Sequence, residues 1–292
     1  MELQVSLEFN FDVLHLSTDT YTQQKGIAGV FFPEKLTEQF KVPLGKNGRK
    51  QDLMGQMFLY GMGMVILGGM HSIVRRTGNK AVDDAFYLST IFTCVLFFAR
   101  TYTNLQKSEK LGFDKTGNTL NLASSFVIGV GAALLWREGG MQIPEVNMSA
   151  FSFDSAMDQF NVFLCVTSGY FAITQSVFAE KMMKDMKVSE FYNNTQQYLG
   201  KAITQFLGGA NIVVVATTIA AVSSGNSAFQ YAMCRLNWVT CALYGLGFTA
   251  SYFRREEEEA PKEFLKALSM YRILSVVGVL IAARAMLSVD TA

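Results

Sequence analysis

The sequence predicts an all-α integral membrane protein of about seven transmembrane helices, built as two parallel four-helix repeats, the first lacking a full leading span. Three observations carry this reading. Apolar residues gather into seven long blocks free of Asp and Glu, the basic residues of the connecting loops fall almost wholly on one side, and the chain matches itself at a shift of 147 residues. Half of the 292 residues are apolar and 17% are charged, against about 25% charged in an ordinary soluble domain.

Crossing a hydrocarbon core of about 30 Å takes roughly 20 mostly apolar residues as a helix. Residues 1–53 form a polar or interfacial N-terminal segment on the basic side, too polar over 11–32 (His15, Asp19, Gln23, Gln24, Lys25) to span lipid comfortably. The first repeat, 54–148, holds spans 54–74, 85–103 and 119–136. Its first span carries Gly61, Gly63, Gly68 and Gly69, residues that let helices approach closely in lipid. The second repeat, 149–292, holds spans 160–178, 202–222, 229–252 and 273–289. Charges inside the spans are confined to Arg100, Arg235 and Arg284. In the loops, 149-SAFSFDSAMDQF-160 reads as a short amphipathic piece at the interface, and 179–201 as a basic helix continuing out of the membrane.

Eighteen loop Lys and Arg lie on the side of the N-terminus and four (Arg75, Arg76, Lys80, Arg137) on the other. The positive-inside rule therefore places the N-terminus in the cytosol, matrix or stroma and the C-terminus across the membrane. Microbial rhodopsins and G-protein-coupled receptors have the opposite polarity, and the last span has no Lys for a retinal Schiff base. The N-terminus lacks the basic n-region and apolar core of a cleavable signal. Cys94, Cys165, Cys234 and Cys241 all fall within spans, where they act as small apolar residues.

The repeat aligns Gly61 with Gly208, Gly78-Asn79 with Gly225-Asn226, Thr93-Cys94 with Thr240-Cys241, and Lys115 with Lys262, without a gap. The counterpart of 160–178 then lies within 11–32, as a worn-down first helix at the interface or against another subunit. Units of four helices keep their orientation, so the repeats are parallel, unlike the inverted repeats of many transporters. The run GVFFPEKL over residues 29–36, followed by LMGQMFLYGMGMVILGG over 53–69, resembles small four-helix membrane proteins that include the ergosterol-biosynthesis scaffold family. A second copy, VFAEKM over 177–182 and LGKAITQFLGGANIVVV over 199–215, keeps the shape without the Pro. The resemblance implies a non-catalytic helix bundle that tethers other membrane proteins.

Arg235, about six residues into its span with Asn237 beside it, is costly at that depth unless it snorkels or meets an anion. With Arg284 at similar height, Arg235, Asn237 and Arg284 are candidates for binding a lipid phosphate or another anion. His15, Asp19 and Lys25 are candidates for docking a partner. His71 and His15 lie on opposite sides and cannot share a haem; His71 reads as an interfacial polar residue. Asp83-Asp84 beside Lys80 reads as a solvated cluster, and 254-RREEEE-259 as a solvated connector.

No metal site or cofactor is expected, bound phospholipids are, and no basic patch with interleaved aromatics points to nucleic acid. No span carries an acid, which argues against an ion pump. The expected function is a non-catalytic membrane subunit or scaffold among other membrane protein subunits and lipids. The setting is an organelle inner membrane, mitochondrial before thylakoid, or another cellular membrane. The alternatives are a carrier or channel for a small apolar or anionic solute, and a lipid-modifying enzyme.

Overall fold

The computed structural model describes residues 24–39, 41, 43–44, 49–113 and 115–290; His15 and Asp19 lie outside them. Residues 24–31 are helical (α1), followed by Pro33–Gln39 (α2), Lys50–Thr77 (α3) and Lys80–Thr103 (α4). Next come Leu105–Lys110 (α5), Lys115–Glu138 (α6), Ala156–Ser176 (α7) and Ala179–Asp185 (α8). Asn194–Ser223 (α9), Ser227–Glu257 (α10) and Lys262–Asp290 (α11) complete the chain. Every regular element among the described residues is helical, so the all-α expectation holds. Each of the seven apolar blocks lies in one long helix, to within two residues at the end of 160–178.

Among the described residues four helices are long and apolar enough to cross a membrane: Lys50–Thr77, Lys80–Thr103, Asn194–Ser223 and Lys262–Ser288. A fifth is added if α7 and α8, bent by 91°, count as one span. At 31 residues α10 is long enough, but Gln230, Arg235 and Asn237 in its first half lower its apolar content.

Local chemistry sets the helix starts. The Asn79 side chain accepts the Val82 N–H at 3.2 Å to cap α4, and Asn226 accepts the Phe229 N–H at 3.1 Å to cap α10. Immediately before each cap a glycine, Gly78 (φ 57°) or Gly225 (φ 66°), takes the left-handed conformation that closes the preceding helix. Reciprocal capping boxes, Ser155 with Asp158 and Asn193 with Gln196, start α7 and α9. Helices α4 and α10 begin at Lys80 and Ser227, and α6 and α11 at Lys115 and Lys262, each pair 147 residues apart.

The close crossings follow the same interval. A Cβ on Gly61 would come within 2.6 Å of the Gly29 backbone, where α1 crosses α3. A Cβ on Gly208 would come within 2.5 Å of the Ser176 backbone nitrogen, where α7 crosses α9. The units also interlock: α4 packs chiefly on α6 and α9, and α10 chiefly on α11 and α3, so each unit lends a helix to the other's central helix. Helices α7, α9, α3, α10 and α11 thereby close into a ring. The tightest packing lies toward the sparsely basic end, where Met70, Val82, Phe86, Phe160, Ala221, Phe229 and Cys234 form one buried cluster. Interdigitation of this kind gains van der Waals contact, the main term that holds helices together in lipid.

Several local expectations are corrected. The chain does not continue straight out of α7, because the 91° break turns it into α8. Residues 149–160 do not make an amphipathic helix: Met148–Ala150 is one 3-10 turn, and the helix starts only at Ala156. His71 is packed between helices, buried with its ring stacked on Phe86 at 5.5 Å. Asp84 is buried and paired with Lys80 at 2.8 Å instead of solvated. Arg255, read as part of a solvated run, is only 2% exposed.

Candidate functional site

The ring of five helices borders a half-open cavity of about 260 Å³. Its register follows from contacts along α3. Helix α9 runs parallel to α3, with Gln56 against Gln196 and Gly63 against Phe206. Helix α10 runs antiparallel, with Phe58 against Gly247 and Gly69 against Leu236. Asn211 and Asn237 therefore stand at the same level, and both line the cavity. Gln175 of α7 joins them, accepting from Asn211 Nδ2 at 3.3 Å. Asn237 Oδ1 accepts from the Cys241 thiol at 3.6 Å. Asn237 Nδ2 is buried without a partner, as is Oε1 of Gln56 nearer the basic end.

Along α10 the lining runs from Met233 to Phe248, roughly 20 Å at 1.5 Å per residue. The walls are otherwise apolar or hydroxylic, among them Leu164, Ser168, Phe171, Thr204 and Tyr271. Among the described residues no Asp, Glu, Lys, Arg or His lines the space. Helix α8 lies across the basic end and, with its C-cap Met186, contributes Met182 and Met183, flexible and polarisable side chains that conform to varied shapes.

Just beyond that end sits a buried polar knot. Arg255 donates to Asp52, to Glu258 at 2.8 Å and to the Tyr192 hydroxyl at 3.3 Å. Its guanidinium also lies over the rings of Phe191 at 5.1 Å and Tyr192 at 5.4 Å. Gln196 donates to the Arg49 carbonyl at 3.2 Å, and Arg49 pairs with Glu258 at 3.0 Å. Burial pushes the Tyr192 hydroxyl above its usual range, with Arg255 pulling in the other direction. The knot ties the starts of α3 and α9 to the end of α10. A buried pair of this kind holds geometry more than it adds net stability.

The structure separates the three residues singled out for anion binding. Asn237 lines the cavity, Arg235 is exposed and stands over the Tyr231 ring at 5.8 Å, and Arg284 is exposed and donates to Gln159 at 3.0 Å. Lys25, singled out for docking, is half-buried on α1. Sequence reasoning missed Gln56, Gln175 and Asn211, although amides inside long apolar blocks are a readable signal. It had no signal for Asp52 with Arg255, since each sits among other polar residues at a helix end. Among the described residues no three His, Cys, Asp or Glu side chains are grouped as a metal site requires. The arrangement can hydrogen-bond a neutral molecule and surround it with apolar wall; the lining brings no nucleophile and base together.

Fold and site define an all-α bundle of long, largely apolar helices with an uncharged internal cavity. Comparison with protein-family models, curated proteins and solved structures finds no match to the chain.

Proposed function

We propose that this chain is an integral membrane protein whose seven long helices span the bilayer, acting as a non-catalytic subunit or scaffold in a membrane complex. The observation that carries the reading is the outer surface. Phe92, Val95 and Phe98 on α4, Phe126 and Val130 on α6, Ile173 on α7, and Val276 and Leu280 on α11 all point outward, exposed. Apolar side chains this large and numerous along long helices call for hydrocarbon or another protein against them. The one-sided basic loops set the orientation, with α2, α8 and the Arg255 knot on the cytosol, matrix or stroma side. An organelle inner membrane or another cellular membrane remains the proposed setting, and the resemblance to small four-helix scaffold proteins supports the non-catalytic reading.

The test is extraction followed by native electrophoresis. The chain should stay with membranes in alkaline carbonate and migrate, after mild detergent, in an assembly larger than itself. Release by carbonate overturns the membrane reading, and migration as a free monomer overturns the subunit reading. The cavity favours a second reading, a carrier for a small apolar solute.

A further inference from the structure

The polar groups of the cavity are amides, hydroxyls and a thiol, and two of the amide atoms are buried without a partner. Gln56, 4% exposed, presents an unpaired acceptor toward the basic end. Roughly 18 Å deeper, twelve residues along the α3 register at 1.5 Å per residue, Asn237 presents an unpaired donor beside Asn211 and Gln175. A buried polar atom left unpaired is costly, and a bound molecule that completes its hydrogen bond removes that cost. Between these two levels the wall is apolar and hydroxylic, with Phe171, Thr204, Leu207 and Tyr244 among its side chains. The space is thus elongated, amide-bearing at both ends and without charge.

We propose that the cavity is a binding site for one uncharged long-chain amphiphile, its hydroxyl or carbonyl head against the Gln175, Asn211 and Asn237 amides and its chain extended past Leu207 and Phe171 toward the methionines at the basic end. The shape argues for a chain, because a volume of about 260 Å³ is drawn out over the roughly 20 Å of helix from Met233 to Phe248. The chemistry argues for a neutral head. An ionised carboxylate or phosphate placed among these residues would lose its hydration with no cation to pair it. The Asn237 amide needs an acceptor, which a hydroxyl or carbonyl oxygen supplies. Met182 and Met183 of α8 and Met186 just after it line the far end against a chain of variable length.

This inference rests on the membrane reading, since the membrane is the source of such a molecule, but its test uses the purified full-length chain in detergent and does not need a complex. The probes are diazirine-bearing hexadecanol and, as its charged counterpart, diazirine-bearing palmitate at a pH where it is ionised. Hexadecanol should label peptides of α7, α9 and α10 saturably, with unlabelled hexadecanol competing and palmitate labelling far less. Asn237→Leu should weaken labelling by about fivefold, the worth of one hydrogen bond to a neutral partner. Thr204→Phe, which puts a ring midway along the cavity, should abolish it, with both variants retaining the helical circular dichroism of the parent. A variant that loses its helicity is replaced by Asn237→Ser or Thr204→Met, for which the same direction is expected. Unsaturable labelling, equal labelling by palmitate, or labelling that survives both substitutions overturns the proposal. Failure of carbonate resistance with labelling intact would sink the membrane reading and leave the cavity assignment standing.

Discussion

Arg255, at the end of α10, is held by Asp52, at the start of α3, across 203 residues of sequence. The pair is almost wholly buried, and Glu258, Tyr192 and the Phe191 ring complete the surroundings of the guanidinium. Removing Arg255 leaves the Asp52 carboxylate buried without its cation. Arg255→Met should therefore cost about 3–5 kcal/mol, while Asp52→Leu combined with Arg255→Met should recover most of that loss. Unfolding titrations in mixed micelles measure all three variants. Losses that simply add would contradict the pairing.

The crossings at Gly29 with Gly61 and at Ser176 with Gly208 leave no room for a side chain. Gly61→Val and Gly208→Val should each destabilise by at least ~1–3 kcal/mol, the usual cost of overpacking, because the neighbour that must move is backbone. Gly169 has nothing within 4 Å of an added Cβ. Gly169→Ala is the control and should be neutral or slightly stabilising.

The caps at Asn79 and Asn226 are equivalent in the two units. Asn79→Ala and Asn226→Ala should each cost about 1 kcal/mol, and the double variant their sum, since each cap serves its own helix. Thermal unfolding in detergent reads this directly. A strongly unequal pair of losses would count against equivalent structural roles.

Orientation can be read from accessibility. Val146→Cys, between α6 and α7, and Glu190→Cys, between α8 and α9, both introduce thiols at exposed positions. In sealed vesicles a membrane-impermeant maleimide should modify one from outside and the other only after permeabilisation. The four native cysteines lie on helices, and the unsubstituted chain supplies their background. Modification of both from one side would refute the seven-span arrangement.

The 147-residue recurrence of helix starts was legible because its markers are local. A Gly-Asn pair makes the same left-handed residue and cap wherever it occurs, so Gly78-Asn79 and Gly225-Asn226 announce two helix starts in sequence alone. The long helices were legible because continuous apolar composition needs no tertiary information. Asn237 was legible as an amide in an apolar block, but the cavity takes it without Arg235. Two residues apart on a helix means nearly opposite faces, and which face looks inward depends on neighbours that local spacing does not name. Arg255 was misread for a related reason: a run of charges at a helix end looks solvated until another element covers it.

The sequence by itself determined that the chain is helical, where its apolar blocks lie, and that the chain's two halves share a pattern 147 residues long. Those properties follow from composition, capping residues and glycine placement, which act within a few residues of where they are written. Tertiary structure alone decided that α4 leans on α9 and α10 on α3, that five helices close around an uncharged space, and that Asp52 meets Arg255. These depend on which helix faces touch, a property of shape complementarity between distant segments.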